Sequence, residues 1–178
     1  MAFQVVSKYA DAGIALPVRK TESSAGHDLA AAEDIVIPSI WPMLDKAKRM
    51  LEIADDEYVH LDFMAEFTKQ TGIRPTLVPT GLKCELDPDT YLELSVRSST
   101  PLKYWIMMAN GVGVIDADYY NNPDNEGHIF LQLLNISPFN LYIQKGEILA
   151  QGIVKPYLTF PNDEATGERL GGFGSTSA

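Results

Sequence analysis

The sequence has little cysteine, little basic charge and no long apolar run. Of its 178 residues only Cys84 is a cysteine, so no disulfide within the chain, no cysteine-rich zinc site and no CxxC redox pair can form. No stretch approaches the ~18 apolar residues of a membrane-spanning helix, and the first ten residues lack the apolar core of a secretion signal. We therefore expect a cytoplasmic protein. The alternation around Cys84 is typical of a strand and predicts a buried structural thiol.

Acidic residues outnumber basic ones. Asp and Glu total 24 and Lys and Arg total 14, which gives a net charge of −10. Because this field repels phosphate, it argues against non-specific binding to nucleic acid or to anionic membranes. An anionic ligand would need a local basic site or a metal ion to offset the field. The 46% of apolar and 21% of charged residues are ordinary for a folded globular chain, and 178 residues suit one domain.

Short strands separated by turn residues account for most of the chain. Residues 91–97 alternate apolar and polar side chains, as a half-buried strand does, and the Asn-Asn-Pro-Asp-Asn cluster at 121–125 predicts a loop. Other runs of strand length lie at 3–6, 30–37, 76–82, 112–115, 128–135 and 148–154. Many short strands with turns between them predict a mainly β protein, either a sandwich or a jelly-roll-like barrel.

Residues 39–75 break this pattern because their apolar residues have helical spacing. One stripe consists of Met43, Leu44, Ala47, Met50 and Leu51, and a second of Tyr58, Leu61, Met64, Ala65 and Thr68. Gly72 is a plausible end for the second helix. We expect a helical hairpin that packs its stripe on the β-body of its own or a neighbouring chain. The alternative interpretation is a partner-binding surface.

Three segments carry residues suited to chemistry. The segment 110–119 places two glycines in a strand and ends in two acids and an aromatic, where a carboxylate could act as a base, hold a metal or cap a turn. The segment 97–100 combines an arginine with three hydroxyls that suit phosphate oxygens, although it could be a polar strand end. The segment 171–176 is a glycine-rich stretch with hydroxyls, which could wrap phosphates or form a flexible tail.

Taken together, five segments resemble the motifs of the dUTPase family, in the same order. They are Ala25–Leu29 followed by residues 31–34, Arg97–Ser99, Asn110–Tyr119, Lys145–Gln151 and Arg169–Thr176. The Gly-Val-Ile-Asp core at 113–116 is the most specific match. The resemblance covers nearly the whole chain apart from residues 39–75.

The resemblance implies a fold, an assembly and an activity. The expected subunit is a single domain over residues 1–178, a jelly-roll-like β-barrel with a helical insertion at about 39–75 and a flexible C-terminal arm at about 167–178. The expected assembly is a homotrimer with shared active sites. The implied reaction is Mg²⁺-assisted hydrolysis of dUTP to dUMP and pyrophosphate, which limits uracil in DNA and supplies dUMP for thymidylate synthesis. A protein partner at the insertion is a further possibility.

The resemblance also implies roles for particular residues. Asp116 would be the general base that activates the attacking water, and Asp28 would contact the magnesium ion through water. The base and sugar would be bound by Asn110, by the backbone of Gly113, Val114 and Ile115, and by Tyr119. The phosphate chain would be held by Arg97, Ser98, Ser99 and Gln151 from a neighbouring subunit. The arm would close with Arg169, Phe173, Gly174, Ser175 and Thr176.

The sequence departs from the family pattern in three places. Ser99 stands where the family usually has glycine, residues 120–126 form a longer acidic tip, and the fifth motif is one residue shorter between Arg169 and its paired glycines.

A dCTP deaminase shares the fold but needs a glutamate where this chain has Gln132, which cannot exchange a proton at neutral pH. The other rival is a regulatory, partner-binding role through the insertion, beside catalysis or instead of it.

Overall fold

The computed structural model describes residues 1–51, 58–167, 169 and 171–172, and strands outweigh helices among its regular elements. The strands are β1 Ala2–Val5, β2 His27–Ala30, β3 Ile35–Ile37, β4 Thr76–Pro79, β5 Leu82–Glu85, β6 Thr90–Val96, β7 Ile106–Met108, β8 Gly113–Asp116, β9 Phe130–Asn135, β10 Leu141–Ile143 and β11 Ile148–Pro156. The helices are α1 Ile40–Leu51, α2 Leu61–Thr71 and α3 Ser99–Tyr104. The prediction of a mainly β fold is confirmed.

The strands pair antiparallel in four small sheets. The largest has the order β2-β11-β6-β8 and the next has the order β4-β9-β7, while β1 pairs with β5 and β3 with β10. Strands far apart in the chain are therefore neighbours in space. This order places β8 at one edge of the four-stranded sheet and β2 at the other.

The hydrophobic core lies between the two larger sheets and follows from strand alternation. In β6 Leu92 and Leu94 are fully buried, and in β9 Leu131 and Leu133 are fully buried. Burying each of these leucines contributes about 2 kcal/mol, so alternate positions decide which face of each strand turns inward. Cys84 lies in the same core, as predicted, and burial raises the pKa of its thiol to about 11.

Several local predictions differ from the structure. The run at 30–37 forms two strands, β2 and β3. They are separated because the backbone of Ala31 and Ala32 forms hydrogen bonds with the backbone of Glu147, Gly146 and Pro79. The segment after Arg97 begins α3 instead of ending a strand. The three-residue strands β7 and β10 went unpredicted because they are too short to show a period.

Helices α1 and α2 confirm the helical spacing, and Gly72 ends α2 in the left-handed conformation with φ of 68°. The first predicted stripe packs on this chain only in part, since Ala47 is buried but Leu44 is 44% and Met50 62% exposed. The second predicted stripe is wrong, because Leu61 is 81% exposed and α2 buries Phe67, which lies outside that stripe. None of the helices in the part of the chain that the structure describes has the length and apolar content to span a bilayer.

Candidate active site

A cavity of about 170 Å³ lies between the outer edge of β8 and the face of β7 and β9. We call it the hairpin cavity. Its lining residues are Leu94, Met108, Asn110, Gly113, Val114, Ile115, Asp116, Tyr119, His128, Phe130, Gln132, Arg169 and Gly172. Because β8 is an edge strand, one side of its backbone is unpaired among the described strands and is available to a ligand.

Glycine and a tight turn shape the entrance of the cavity. Gly113 lies opposite Leu94 on β6, and a Cβ at Gly113 would come within 3.1 Å of the Leu94 side chain. The absence of a side chain therefore lets the two strands and the cavity wall approach closely. Before it, the Val112 amide donates to the Asn110 carbonyl at 2.8 Å, and Gly111 has φ of 72°. This turn holds Asn110 at the cavity mouth.

Tyr119 forms a wall of the cavity and is fixed by two hydrogen bonds. Its hydroxyl donates to the His128 carbonyl at 3.1 Å and accepts from Nδ2 of Asn125 at 2.9 Å. Asn122 in turn donates from Nδ2 to Asn125 and to the Tyr119 carbonyl. Burial raises the pKa of the Tyr119 phenol, so it stays neutral over the physiological range. The long loop after residue 119 thus holds one side chain of the cavity in place.

Asp116 ends β8 at the cavity edge, where it forms an ion pair with Arg169. The Arg169 Nε also lies 2.7 Å from Oδ1 of Asp118, and the guanidinium lies 5.9 Å from the centre of the Tyr119 ring. Gly172 packs on the same ring, since a Cβ there would lie 2.8 Å from a Tyr119 ring carbon. The start of the C-terminal segment therefore crosses the cavity. Phe173, Gly174, Ser175 and Thr176 lie outside the described residues.

The lining residues that the sequence did not assign to this site are Leu94, Met108, His128, Phe130, Gln132 and Gly172. The Gly81 amide donates to Nε2 of His128 at 3.0 Å, and the His128 and Phe130 rings lie 4.1 Å apart. Burial, aided by Lys8, lowers the pKa of His128 from 6.5 to about 4, so the ring is neutral at pH 7. The alternation of β9 was the available signal, since it turns Phe130 and Gln132 away from the core.

A second group of polar residues crosses the same sheet, and we call it the polar row. Asp28 of β2 is paired with Gln151 of β11, which is paired with Ser95 of β6. The Arg97 Nε lies 3.3 Å from Oδ1 of Asp28, and Gln151 donates to the Ser95 hydroxyl at 3.4 Å. The row is packed tightly against the preceding loop, because a Cβ at Gly26 would overlap the side-chain oxygen of Gln151.

The Asp28 carboxylate is incompletely satisfied. Its Oδ2 atom is buried and has no hydrogen-bond partner in the described part of the chain, although Lys20 Nζ lies 3.9 Å from it. Unsatisfied buried oxygens are rare and call for an explanation such as a water or an ion. No group of three or more His, Cys, Asp and Glu side chains suited to a metal occurs among the described residues.

Ser98 and Ser99 lie next to the polar row, at the start of α3. Ser98 is exposed, and its hydroxyl makes no capping bond to the helix. The helix itself is tied to β11, since the Arg97 amide and the Thr100 hydroxyl both donate to the Leu149 carbonyl. The two serine hydroxyls and the Arg97 guanidinium therefore stand on a well-anchored backbone.

The hairpin cavity and the polar row are separate within one chain. Asp116 is paired with Tyr91 on β6, whereas the row meets β6 at Ser95, four residues further along. From Asp116 to Asp28 the sheet also spans three strand spacings, so their Cα atoms are about 20 Å apart. The structure brings together the predicted residues of the third motif with Arg169. It brings Asp28, Arg97 and Gln151 together elsewhere.

Comparisons with known proteins agree with the motif order. The family model described as dUTPase matches residues 59–177. The deoxyuridine 5′-triphosphate nucleotidohydrolase of Lactococcus lactis is 41% identical over 99% of this chain and 97% of its own length. The crystal structure of the dUTPase from Streptococcus mutans is similar with a TM-score of 0.68 and 33% identity, covering 90% of this chain and 98% of that one.

A more distant similarity concerns the fold alone. A mutant dUTPase from phage phi11 of S. aureus has a TM-score of 0.59 and 14% identity, covering 93% of this chain and 95% of that one. Its structure was described for the coordination of a structural Mg(II) ion.

Proposed function

We propose a mechanism for this chain, which belongs to the dUTPase family and hydrolyses dUTP to dUMP and pyrophosphate. Asp116 is the general base for the attacking water. Water attacks the α-phosphorus, its proton passes to the Asp116 carboxylate, and the bond from the α-phosphorus to the bridging oxygen breaks, so that pyrophosphate leaves. The observation that carries this assignment is the position of Asp116. It is the one carboxylate among the described residues that line the hairpin cavity.

The hairpin cavity binds the uracil and the deoxyribose in this mechanism. Its volume of about 170 Å³ lies below the roughly 300–1,000 Å³ of pockets for larger ligands, so it suits the base with the sugar at its mouth and not the triphosphate. The unpaired backbone of Gly113, Val114 and Ile115, together with Asn110, supplies donors and acceptors for the base edge. Tyr119 packs against the sugar, where its fixed ring leaves no space for a 2′-hydroxyl.

The phosphate chain binds to the polar row of a neighbouring subunit. A triphosphate whose base fills the hairpin cavity cannot extend about 20 Å across the sheet to the same chain's row and still place its α-phosphorus beside Asp116. We therefore propose a homotrimer of single-domain, jelly-roll-like subunits with shared sites. Arg97, Ser98, Ser99 and Gln151 donate to the phosphate oxygens, and the arginine contributes positive charge against the overall −10.

Magnesium fits the polar row. The Asp28 Oδ2 atom is a buried carboxylate oxygen without a hydrogen-bond partner in the described residues, and a hydrated cation beside it would satisfy that atom. Asp28 would hold the ion through water. When bound, the ion would supply positive charge that offsets the negative charge on the leaving pyrophosphate. The chain's own task is to orient the carboxylate, which Arg97 does from 3.3 Å.

The C-terminal arm closes the site in this proposal. Arg169 and Gly172 already lie against Asp116 and Tyr119, and these contacts support a path for the arm across the cavity. With substrate bound, Arg169 leaves the carboxylate for a phosphate oxygen, and Phe173 covers the uracil. Gly174, Ser175 and Thr176 bind the outer phosphates. Closure of the arm excludes bulk water from the reacting atoms.

The substitution Asp116→Asn tests the base directly, with Asp118→Asn as its matched control. Both changes remove a carboxylate that pairs with Arg169, but only Asp116 lines the hairpin cavity. We expect Asp116→Asn to reduce pyrophosphate release from dUTP by ~10²-fold or more, with binding of a non-hydrolysable analogue retained. Asp118→Asn should lose less than ~10-fold. A folded Asp116→Asn protein with near-normal turnover would exclude Asp116 as the base.

A further inference from the structure

We propose that the carboxamide of Gln132 is a second base-binding side chain, which donates an N–H to a carbonyl oxygen of uracil. This inference rests on the proposed function, in which the hairpin cavity binds the base. It adds a base-binding residue from β9, on the wall that faces the β8 edge.

The backbone of β9 fixes the direction of the Gln132 side chain. Along the strand Leu131 and Leu133 are fully buried in the core, while Phe130 and Gln132 lie on the other face and line the cavity. The Gln132 carbonyl accepts from the Ala109 amide at 2.8 Å, and its Cα is in register with Leu77 of β4. Since strand pairing holds it on both sides, Gln132 cannot turn its side chain away without breaking the sheet.

The polar groups of the cavity differ in how they are satisfied. The Tyr119 hydroxyl, Nε2 of His128 and the Asp116 carboxylate all have protein partners. The side-chain amides of Asn110 and Gln132 make no hydrogen bond to any described residue. Asn110 lies at the mouth, where water can satisfy it, whereas Gln132 is half-buried beside Phe130. The Gln132 amide is not fully shielded from solvent, so it is open to the cavity and can bind a polar group of a ligand there.

The chemistry of the base identifies which group Gln132 contacts. The edge of uracil presents a carbonyl, an N–H and a second carbonyl, whereas cytosine carries an amino group in place of one carbonyl. The Gln132 amide can donate to a carbonyl oxygen of uracil. The same amide, turned over, can accept from the amino group of cytosine, so Gln132 adds affinity for the base and does not by itself select uracil.

Two substitutions of similar size separate this role from simple packing. Gln132→Met removes the hydrogen bond, and Gln132→Glu replaces the donor by a group that only accepts at neutral pH. The probes are the mononucleotides dUMP and dCMP, whose dissociation constants are measured by calorimetry in the full-length protein. We expect Gln132→Met to weaken dUMP by ~10-fold and Gln132→Glu to weaken it by ~10²-fold, with dCMP unchanged or tighter in the glutamate variant.

The controls distinguish failure of this inference from failure of the proposed function. Gln70→Met, on the exposed face of α2, should bind both nucleotides as the wild type does. If Asn110→Ala weakens dUMP but both Gln132 variants bind it normally, the base lies in the cavity and the inference is wrong. If all three variants bind dUMP normally, the base lies elsewhere and both proposals fall. Equal losses for dUMP and dCMP in both Gln132 variants would show packing alone and would also overturn the inference.

Discussion

The hairpin cavity and the polar row lie on one sheet but differ in how fully the chain satisfies their polar groups. In the cavity the hydroxyl of Tyr119 has two hydrogen bonds and Asp116 is paired with Arg169. In the row an oxygen of Asp28 has no hydrogen-bond partner among the described residues, and Gln151 makes a long bond of 3.4 Å to Ser95. The chain thus fixes Tyr119 and Asp116 in the cavity, whereas the row keeps a buried carboxylate oxygen without a partner in the described residues. In the proposed mechanism the cavity selects the substrate by its base, and the row of a neighbouring subunit receives the phosphates.

The largest expected effect comes from dividing the two regions between chains. Asp116→Asn disables the cavity, and Arg97→Ala disables the row, so each protein alone should be nearly inactive. If cavity and row of one site come from different subunits, mixed trimers contain sites with both parts intact. Random mixing of equal amounts should restore roughly a quarter of wild-type turnover. The measurement is pyrophosphate release after denaturation and joint refolding.

The control for that experiment is the same mixture without joint refolding. It should stay inactive for as long as the trimers do not exchange subunits. If the jointly refolded mixture stays inactive although size-exclusion chromatography detects mixed trimers, cavity and row act within one chain. Both regions would then belong to one site in a single subunit, and the separation of about 20 Å between them would have to close on binding.

The next effect concerns the incomplete row. Asp28→Asn keeps the shape of the side chain but removes its charge, so the half-saturating magnesium concentration for dUTP turnover should rise ~10-fold or more. Asp45→Asn, an exposed aspartate of α1 paired with Arg49, is the matched control and should leave the magnesium titration unchanged. If Asp28→Asn and wild type titrate alike, the unpaired oxygen does not serve a metal site.

The burial of His128 in the cavity predicts that the protein is less stable in acid. His128 has its pKa lowered to about 4 by burial, whereas in the unfolded chain it titrates near 6.5. Below pH 6.5 the unfolded state binds more protons, so the free energy of unfolding should fall as the pH drops from 6.5 to about 4. The loss amounts to about 3 kcal/mol at most. This loss is measured by urea unfolding at about pH 7, 5.5 and 4.5, with the protein concentration held fixed.

Two variants test whether His128 causes the loss of stability in acid. His128→Gln removes the titrating group and should flatten the pH dependence, although it is less stable at neutral pH. His60→Asn, at the exposed start of α2, should keep the wild-type slope. A slope in His128→Gln as steep as in the wild type would assign the acid sensitivity to other groups.

The two regions were also unequally accessible to sequence reasoning. The cavity hairpin is local, so the glycines, acids and aromatic within 110–119 predicted a site from the order of residues alone. The alternation of β9 placed Phe130 and Gln132 on one face, but nothing local indicated that this face meets the β8 edge. That contact depends on how sheets pack, which residues distant in the chain decide.

The sequence predicted the residues of the polar row but not that they lie side by side. Asp28, Arg97 and Gln151 came from three motifs, and their contact depends on the sheet order β2-β11-β6, which joins strands far apart in sequence.

Helical periodicity likewise located α1 and α2 but not the surface that they cover. Periodicity identifies an apolar stripe, whereas its burial depends on how the helix is anchored, here by the Trp41 Nε1 bond to the Ile136 carbonyl at 2.9 Å.

The smallest expected effect comes from removing α1 and α2, whose described residues contribute nothing to the cavity or the row. The geometry allows a short connection in their place. Ser39 bridges to Asn135 of β9, and Thr76 is paired with Leu133 of the same strand, so the two ends lie about 7 Å apart. A chain that keeps Ser39, and with it the hydrogen bonds to Asn140 and Ser137, can be joined to Thr76 through two added glycines.

The shortened chain should hydrolyse dUTP within about threefold of the wild-type rate, because distant sites contribute independently. Its unfolding free energy should fall by about 3 kcal/mol, since the buried Phe67 and Ala47 and the Trp41 bond are lost. The exposed Leu44 and Met50 are consistent with a partner surface instead, and a pull-down lost only in the shortened chain would support that role. A folded, trimeric shortened chain that cannot turn over dUTP would show that the helices belong to the active site, together with the cavity and the row.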